Sequence, residues 1–251
     1  MALQMTTYPN NVLVVQDVHK SYGEQKILEN ISFQVPKGKI VALVGASGVG
    51  KTTLFNIIAG VTAPDKGRVL LKEEDITNAP GHISYMLQKD LLLEHLTIID
   101  NVSLSLRLKG LSKKEAREQV DLYFKLFGLA DVKYAYPHEL SGGMRQRAAL
   151  FRTYIASDEV VLLDEPFSAL DSITKRHLHD WYKTMHTELE LTTLFITHDV
   201  DEAIYLADEI YVMTGPPGQL TAHQIIQHPP GDQFELSEAF LNYKRQIIAE
   251  I

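Results

Sequence analysis

The chain has 251 residues, which is enough for one large domain or two unequal lobes with a proper core. Its hydrophobic content of 45% and charged content of 22% are those of a globular protein. The formal net charge of −8 argues against a nucleic-acid-binding face as the main function, and the absence of cysteine excludes disulfides and thiolate metal sites.

The amino-terminal stretch MALQMTTYPN lacks the basic region and the apolar region of a secretion signal. No apolar run in the chain approaches the ~20 residues that a membrane helix requires. We therefore expect a protein that is soluble by itself, and the absence of cysteine is compatible with a reducing compartment.

Short β-type runs begin the chain and predict peripheral strands. Residues 12–18 and 27–35 are two short β-type runs that predict two strands, and a loop at 60–67 leads into a further predicted strand. We expect these flanking strands to be antiparallel. Between the first two, Tyr22 lies in a predicted turn, where it either covers the core at a strand end or serves as an exposed functional aromatic.

The stretch KGKIVALVGASGVGKTT predicts an apolar strand at 40–44, a glycine-rich turn and a helix over 52–59. Within it, GASGVGKT (45–52) matches the phosphate-binding P-loop pattern. Glycines let successive backbone N–H groups surround a polyphosphate, and the following helix points its positive end at the same anion. Lys51 can then reach the β- and γ-phosphates, and Thr52 can offer its hydroxyl to Mg²⁺. The alternative, a glycine-rich hairpin before a helix, fits the strand–loop–helix context less well.

The middle of the chain is predicted to be helical. A short strand over 82–88 ends at Gln88, and the helical pattern follows it. Ser112 is a candidate N-cap, and an apolar and aromatic stripe over 116–127 is expected to pack in the core until Gly128 ends the helix. A polar turn then precedes a helix that is predicted from Met144 onward.

The last third of the chain predicts buried strands at 160–163, 193–197 and 209–213. A helix over 173–189 separates the first two, and its histidines, His177, His179 and His186, lack the spacing of a zinc motif. Asp199 with Glu202 predicts a helix start of the capping-box type. After the third strand, GPPG (215–218) forms a turn, and the polar remainder contains a short amphipathic helix near the end.

Buried strands alternating with helices predict a mainly parallel sheet, and such sheets bind ligands at the carboxyl ends of their strands. Four of the predicted strands bring functional groups to that edge, namely the P-loop, Gln88, the pair Asp164–Glu165, and His198. Together they are the functional groups that hydrolysis of a nucleoside triphosphate requires. The carboxylate pair alone could be a solvated strand end, and His198 alone could be an ordinary strand-end histidine. Because both follow a P-loop, in this order along the chain, the catalytic interpretation is favoured.

Each residue type suits a step of that chemistry. Asp164 suits a Walker-B role in holding Mg²⁺, through water. Glu165 is then free to orient and polarise the attacking water. His198 and Gln88 can contact the γ-phosphate and the water or the metal, and can thereby sense whether the phosphate is present.

The octet LSGGMRQR (140–147) places an N-cap serine and two glycines at the start of a helix, which is a second anion-binding helix start. The whole octet resembles the signature motif of ABC ATPases. The other motifs of that family follow in the same order along nearly the full chain: the adenine-stacking aromatic (Tyr22), the Walker A motif (45–53), the Q-loop (Gln88), the Walker B motif (160–165), the D-loop (168–171) and the switch histidine (His198).

The resemblance implies a fold and a set of site residues. The fold class is α/β: a P-loop NTPase with a RecA-like, mainly parallel sheet, an antiparallel β subdomain and an inserted α-helical subdomain. The implied cofactors are ATP and Mg²⁺, with Thr52, Gln88 and Asp164 toward the metal and Glu165, His198, Gln88 and Lys51 as catalytic residues. The implied nucleotide contacts are Tyr22, Gly45, Ala46, Ser47, Gly48, Val49, Gly50, Lys51, Thr52, Thr53, Ser141, Gly142, Gly143 and Asp171.

The same resemblance implies one ABC ATPase domain over 1–251. Residues 12–87 and 155–251 would form the nucleotide-binding core with its antiparallel sheet, and 88–154 would form the helical signature subdomain. Two subunits, as a homodimer, would face head to tail, and each would bind ATP between its own Walker motifs and Ser141 and Gly143 of the other. Closing and opening of this dimer would drive paired membrane permease subunits, one of which would insert a short cytoplasmic helix into the groove around Gln88.

The motif variants narrow the resemblance further. YPHELSGGMRQR and the GPPG turn are most similar to the nitrate/sulfonate/taurine group of importers, which includes importers of thiamine-precursor pyrimidines. We therefore expect a small organic or oxyanion solute, an extracellular or periplasmic solute-binding protein, no nucleic-acid partner, and a peripheral position on the cytoplasmic face of the membrane. The alternatives are the cassette of an ABC exporter, a soluble ABC ATPase that acts on ribosomes or DNA, and a P-loop kinase or GTPase, which the signature octet disfavours.

Overall fold

The computed structural model describes residues 11–157, 159–168, 170–228 and 234–251. The first ten residues, for which the sequence predicts no secretion signal, lie outside this described part, as does Ala169 within the predicted D-loop. No helix among the described residues is long and apolar enough to span a membrane.

The described elements follow the predicted alternation of strands and helices. In chain order the strands are β1 (Asn11–Tyr22), β2 (Gln25–Pro36), β3 (Ile40–Val44), β4 (Lys66–Leu71), β5 (Glu74–Asp75), β6 (Ser84–Met86), β7 (Val160–Asp164), β8 (Thr192–Thr197), β9 (Glu209–Thr214) and β10 (Gln219–Ile225). The helices are α1 (Lys51–Ile58), α2 (Ile98–Val102), α3 (Leu104–Leu108), α4 (Lys113–Asp121), α5 (Gly142–Ala156), α6 (Ser172–Glu188), α7 (Val200–Leu206) and α8 (Glu238–Glu250). Short 3₁₀ turns lie at Ala130–Val132, Pro137–Glu139 and Phe234–Leu236.

Within the described part of the chain, the strands form two sheets. The six-stranded sheet has the order β10-β9-β3-β8-β7-β6, with parallel pairing from β9 to β6 and an antiparallel edge strand β10. The four-stranded sheet has the order β2-β1-β4-β5 and is antiparallel. This confirms the predicted α/β class, with a mainly parallel sheet and a peripheral antiparallel one.

Both faces of the parallel sheet are covered, which is why its central strands are continuous apolar runs. Ile40, Ala42 and Val44 of β3 face a core shared with the helices α2 and α4–α8. Val41 and Leu43 face a second core, shared with α1 and the antiparallel sheet. The helices α2–α5 lie within or next to the predicted helical segment 88–154, although α5 continues to Ala156; the division into subdomains remains a proposal.

Three elements differ from their predicted bounds. The strand predicted over 82–88 ends at Met86, because β6 is an edge strand that pairs only with β7, so Gln88 lies in the loop that follows. Helix α4 has the expected N-cap in a complete capping box at Ser112, but it ends at Asp121, and the apolar stripe continues in turns. Helix α5 begins at Gly142 rather than Met144, because the Ser141 side chain caps it.

Two further differences come from tertiary contacts. The strand β10 was not predicted, because it is a polar edge strand that is paired with β9 alone. Asp199 does cap α7 through the N–H groups of Asp201 and Glu202. The reciprocal half of the predicted capping box is wrong, because the Asp199 N–H donates to the Thr197 hydroxyl while Glu202 is buried beside Lys175.

A buried histidine in α6 makes the stability of the fold pH-dependent. Burial lowers the pKa of His186 to about 4, and its Nε2 has no hydrogen-bond partner among the described residues. The unfolded chain takes up this proton near the ordinary value of 6.5, so folding stability is present above that value and is lost as the pH falls toward 4.

We expect that lowering the pH from 7 to 5 costs about 2 kcal/mol of unfolding free energy through His186 alone. Denaturant unfolding of the wild type at the two pH values measures the total loss. His186→Gln should reduce the loss of unfolding free energy between pH 7 and pH 5 by this amount, whereas His177→Gln, at an exposed position of the same helix, should leave the loss unchanged. The same pH dependence in wild type and His186→Gln would contradict the assignment.

Candidate functional site

The carboxyl ends of the parallel strands β3, β6, β7 and β8 meet at one edge of the sheet, as the sequence predicts. A cavity of about 400 Å³ opens there. It is lined by residues of the P-loop and the start of α1, by residues at or just after the ends of the parallel strands, and by one residue of β2: Ile27, Ser47, Gly48, Gly50, Lys51, Thr52, Thr53, Gln88, Glu165 and Ile196. All four predicted strand ends therefore contribute to the cavity, β8 through Ile196, and His198, which follows β8, contacts Glu165.

A larger cavity of about 610 Å³ lies elsewhere, near the amino-terminal ends of β7 and β8. Its lining includes Leu106, Tyr123, Leu189 and Leu191, with none of the P-loop residues and neither Asp164 nor Glu165. Because ligands of parallel sheets bind at the opposite edge, the smaller cavity is the candidate site.

The P-loop conformation depends on glycine at particular positions. Gly50 has φ of 107°, and a Cβ atom at that position would lie 2.8 Å from the Leu28 side chain. A Cβ atom at Gly45 would lie 2.3 Å from the backbone oxygen of Met213. The loop therefore packs tightly on its own domain while its backbone turns toward the cavity.

Lys51 is the cation inside this cavity. Its side chain is buried, and its Nζ donates to the backbone oxygens of Gly45 at 2.7 Å and Ala46 at 2.9 Å. Burial lowers the pKa of Lys51, while the charges of Glu165 and Asp164 oppose that shift. The ammonium thus contacts the carbonyls of the loop and is close enough to the two carboxylates at the end of β7 to be stabilised by their charges.

Asp164 is the last residue of β7 and is buried. The Tyr85 hydroxyl donates to its Oδ2 at 3.3 Å, and the Thr52 hydroxyl lies 3.4 Å from the same oxygen. Burial raises the pKa of Asp164, and the bond from Tyr85 opposes that shift. The pairing with Tyr85 was not predicted, because no motif marks Tyr85 and the contact joins residues 79 positions apart.

The carboxylate of Asp164 and the hydroxyl of Thr52 are the hard oxygen ligands that Mg²⁺ prefers. No group of three or more His, Asp or Glu side chains that could hold a metal ion occurs among the described residues. The oxygen atoms of Asp164 and Thr52 fit Mg²⁺ by their chemistry. Gln88, the third predicted metal ligand, donates from Nε2 to Glu165 at 3.2 Å, and its role toward a metal stays a prediction.

Glu165 lies between two of the other predicted catalytic residues. Gln88 Nε2 donates to its Oε2, and His198 Nδ1 lies 3.1 Å from its Oε1. Glu165 also has φ of 45°, a left-handed conformation that costs a non-glycine residue free energy and that recurs at functional sites. The backbone turn after β7 thus directs this carboxylate into the cavity while two loops hold its oxygens.

Other predicted nucleotide contacts do not line this cavity in the described part of the chain. Tyr22 is 54% exposed at the end of β1, with Lys20 Nζ 5.4 Å from its ring centre. The Val49 side chain is buried in the core beneath the loop. Ser141, Gly142 and Gly143 lie at the start of α5, and Asp171 caps α6 by accepting from the N–H groups of Ile173 and Thr174.

The signature helix α5 is nevertheless tied to the loops of the site. Arg145 forms a bidentate ion pair with Asp90, with N–O distances of 2.9 and 3.1 Å. Asp90 lies two residues after Gln88 in the chain. Gln146 donates to the backbone oxygen of Pro166, which follows Glu165. These contacts connect the start of α5, where Ser141 and Gly142 are exposed and Gly143 is half-buried, to both sides of the cavity.

Comparison with known proteins gives concordant results. Residues 28–168 match the family model described as ABC transporter. The chain is 41% identical over 220 residues to a formylaminopyrimidine import ATP-binding protein, ThiZ, of Halalkalibacterium halodurans, covering 87% of this chain and 85% of that protein. It is 39% identical over 222 residues to a sulfate/thiosulfate import ATP-binding protein, CysA, of Synechocystis, covering 86% of this chain and 62% of that protein. The chain thus spans less than two thirds of the length of the sulfate relative.

Solved structures resemble the fold closely. One is a dimeric ATP-binding cassette in a post-hydrolysis state bound to ADP and Pi, with a TM-score of 0.73, 28% identity, and coverage of 86% of this chain and 99% of that one. Another is cbiO1 of Clostridium perfringens, part of the complex cbiONQ, with a TM-score of 0.79 and coverage of 95% and 93%; at 24% identity it supports the fold alone.

Proposed function

Because the chain belongs to the ABC transporter family of ATP-binding cassettes, we propose that it hydrolyses ATP to power a membrane importer. The observation that carries this proposal is the position of Glu165, held by Gln88 and His198 at the edge of a cavity that also contains Lys51. Such a carboxylate suits the base that orients a water for attack on a γ-phosphate.

The remaining residues of the cavity have complementary roles in the proposal. The P-loop N–H groups and Lys51 bind the β- and γ-phosphates, and Thr52 and Asp164 hold Mg²⁺. When bound, Mg²⁺ would supply positive charge that neutralises the charge developing on the phosphates. His198 keeps Glu165 oriented and contacts the terminal phosphate, and Tyr22 stacks on the adenine from the rim of the site.

One chain supplies only part of this site. Ser141 and Gly143 do not line the cavity of their own chain, yet the start of α5 is exposed and presents backbone N–H groups suited to an anion. We propose that a second copy faces the first head to tail and that its Ser141, Gly142 and Gly143 close over the γ-phosphate, with Asp171 at the same interface. ATP then stabilises the closed dimer by binding it better than the open state.

Mixing two inactive variants tests this shared site. Lys51→Ala disables the phosphate-binding half, and Ser141→Arg blocks the signature half. A mixed head-to-tail dimer contains one site in which both halves are intact. We expect each variant alone to be inactive and the mixture to recover up to about a quarter of wild-type turnover, since random pairing gives half mixed dimers with one good site each. A mixture as inactive as its parts would contradict the head-to-tail arrangement.

The names of the relatives support the proposal for the solute. The named substrates of the relatives, formylaminopyrimidine and sulfate or thiosulfate, support a small organic or oxyanion solute for this importer. We propose that an extracellular or periplasmic solute-binding protein delivers it. Leu87 and Leu91, which are 40% and 52% exposed on either side of Gln88, support a docking groove for a cytoplasmic helix of the permease. The chain would then lie at the cytoplasmic face of the membrane.

Affinity capture distinguishes an importer subunit from an exporter cassette and from a soluble ATPase that acts on ribosomes or DNA. The tagged chain, expressed in its native cell and extracted in mild detergent, should retain an integral membrane subunit whose addition stimulates ATP hydrolysis. A membrane subunit that acts without an external solute-binding protein would indicate an exporter. Recovery of ribosomes or DNA in place of a membrane subunit would overturn the transport proposal.

A further inference from the structure

Lys175 connects two elements that flank the candidate site. Its Nζ donates to Asp199 Oδ2 at 2.6 Å and lies 2.8 Å from Glu202 Oε2; Asp199 is the N-cap of α7 and Glu202 lies in its first turn. Its own N–H donates to the backbone oxygen of Asp171, which caps α6. One side chain therefore joins the start of α6 to the start of α7.

Asp199 transfers this contact to the candidate site. Its second oxygen accepts from the N–H groups of Asp201 and Glu202, and its own N–H donates to Thr197, so the residue is held on several sides. Asp199 follows His198 directly, and His198 Nδ1 lies 3.1 Å from Glu165. Because the peptide unit between them is planar and stiff, displacement of Asp199 displaces the His198 backbone.

The surroundings make the charge of Lys175 important. The Glu202 side chain is only 2% exposed, and its Oε1 has no hydrogen-bond partner among the described residues. His179 Nε2 lies 3.9 Å from Glu202 Oε2 and also has no hydrogen-bond partner within the part of the chain that the structure describes. Removing Lys175 would therefore leave a buried carboxylate and its neighbour Asp199 without the ammonium that both contact.

We propose that Lys175 is a positioning residue for ATP hydrolysis, which holds His198 beside Glu165 by fixing Asp199 to the start of α6. Since α6 begins next to Asp171, at the proposed interface with the second copy, movement of α6 on dimer closure reaches His198 through this contact. The inference rests on the proposed ATPase function and names a residue that the motifs of the sequence do not include.

The same helix offers a matched control. Lys183 also joins α6 to α7, but at the far end, where its Nζ donates to the backbone oxygen of Tyr205 at 3.2 Å. We expect Lys175→Met to lower kcat at least about tenfold, because small displacements of catalytic groups have effects of that size, with the KM for ATP changed less than about twofold. Lys183→Met should stay within about twofold of wild type in both constants, and Lys175→Arg, which keeps the charge, should recover most of kcat.

A second variant separates positioning from stability. Lys175→Met combined with Glu202→Gln removes the buried carboxylate that the first change leaves unpaired, so the Tm should return toward wild type. The tether to Asp199 remains absent, so kcat should remain low. If kcat recovers together with the Tm, Lys175 is only structural and the proposal is wrong.

The outcomes for this inference and for the proposed function differ. Wild-type protein that hydrolyses no ATP, alone or with its membrane subunit, would overturn both. Wild type that hydrolyses ATP, with Lys175→Met no slower than Lys183→Met, would overturn the positioning role alone.

Discussion

Replacing Glu165 with Gln is expected to lower ATP turnover at least about a hundredfold, because a positioned general base contributes that much or more. The amide has nearly the same shape as the carboxylate and keeps the backbone with its φ of 45°, but it cannot accept a proton from water. The phosphate-binding groups of the cavity are untouched, so ATP affinity should remain within a few-fold of wild type. Phosphate release and nucleotide binding measured on the same preparation test both statements.

The same variant should accumulate as a dimer when ATP is present, because hydrolysis is the step that opens the closed state. Size-exclusion chromatography with ATP, and then with ADP, distinguishes the two states. Glu190→Gln is a matched control, since Glu190 also has a positive φ, of 48°, and lies outside the candidate site. It should turn over ATP like the wild type. Monomer alone in Glu165→Gln with ATP would count against the shared site.

Replacing Lys51 with Ala is expected to weaken ATP binding at least about tenfold, because hydrogen bonds to charged groups are worth about 1.5–3 kcal/mol. The ammonium is the positive charge that the P-loop carbonyls hold in the cavity, and no other lysine or arginine lines the described cavity. Titration with a fluorescent ATP analogue measures the loss.

Two comparisons isolate the charge. Lys51→Met keeps the apolar stem and tests whether lost packing alone weakens binding. Lys66→Ala, at an exposed position of β4, changes the net charge equally without touching the site. Both Lys51 variants should bind ATP weakly, and Lys66→Ala should bind normally. ATP affinity unchanged by loss of Lys51 would mean that the loop does not bind phosphate as proposed.

Much of the site could be predicted because its signals are local. The P-loop requires glycine and lysine at fixed spacings within one strand–turn–helix unit. The local sequence around Gly50 and Lys51 therefore predicts the loop, whatever the remainder of the chain contains. The strands β3, β7 and β8 were predicted as well, because burial on both faces requires an unbroken apolar run. Their order in the chain then indicates which groups share an edge of the sheet.

Elements without such signals were predicted poorly. The edge strand β6 stops at Met86 and the edge strand β10 is largely polar, because a strand with a neighbour on one side only does not need a long apolar run. Helix α4 ends at Asp121 although the apolar stripe continues, since turns can bury the same side chains as a helix. In these places packing against distant elements decides where the hydrogen-bonded structure ends.

The sequence by itself determined the class of fold, the phosphate-binding loop and the identity of the acidic, amide and imidazole groups at the strand ends, because each depends on short-range spacing and on burial. Only the tertiary structure decided that Glu165 lies between Gln88 and His198, that Tyr85 bonds Asp164, and that Lys175 bonds Asp199. These contacts join residues 24 to 79 positions apart. No local preference specifies such pairs, since they form only when the sheet places its strands side by side and the packed helices hold the loops in place.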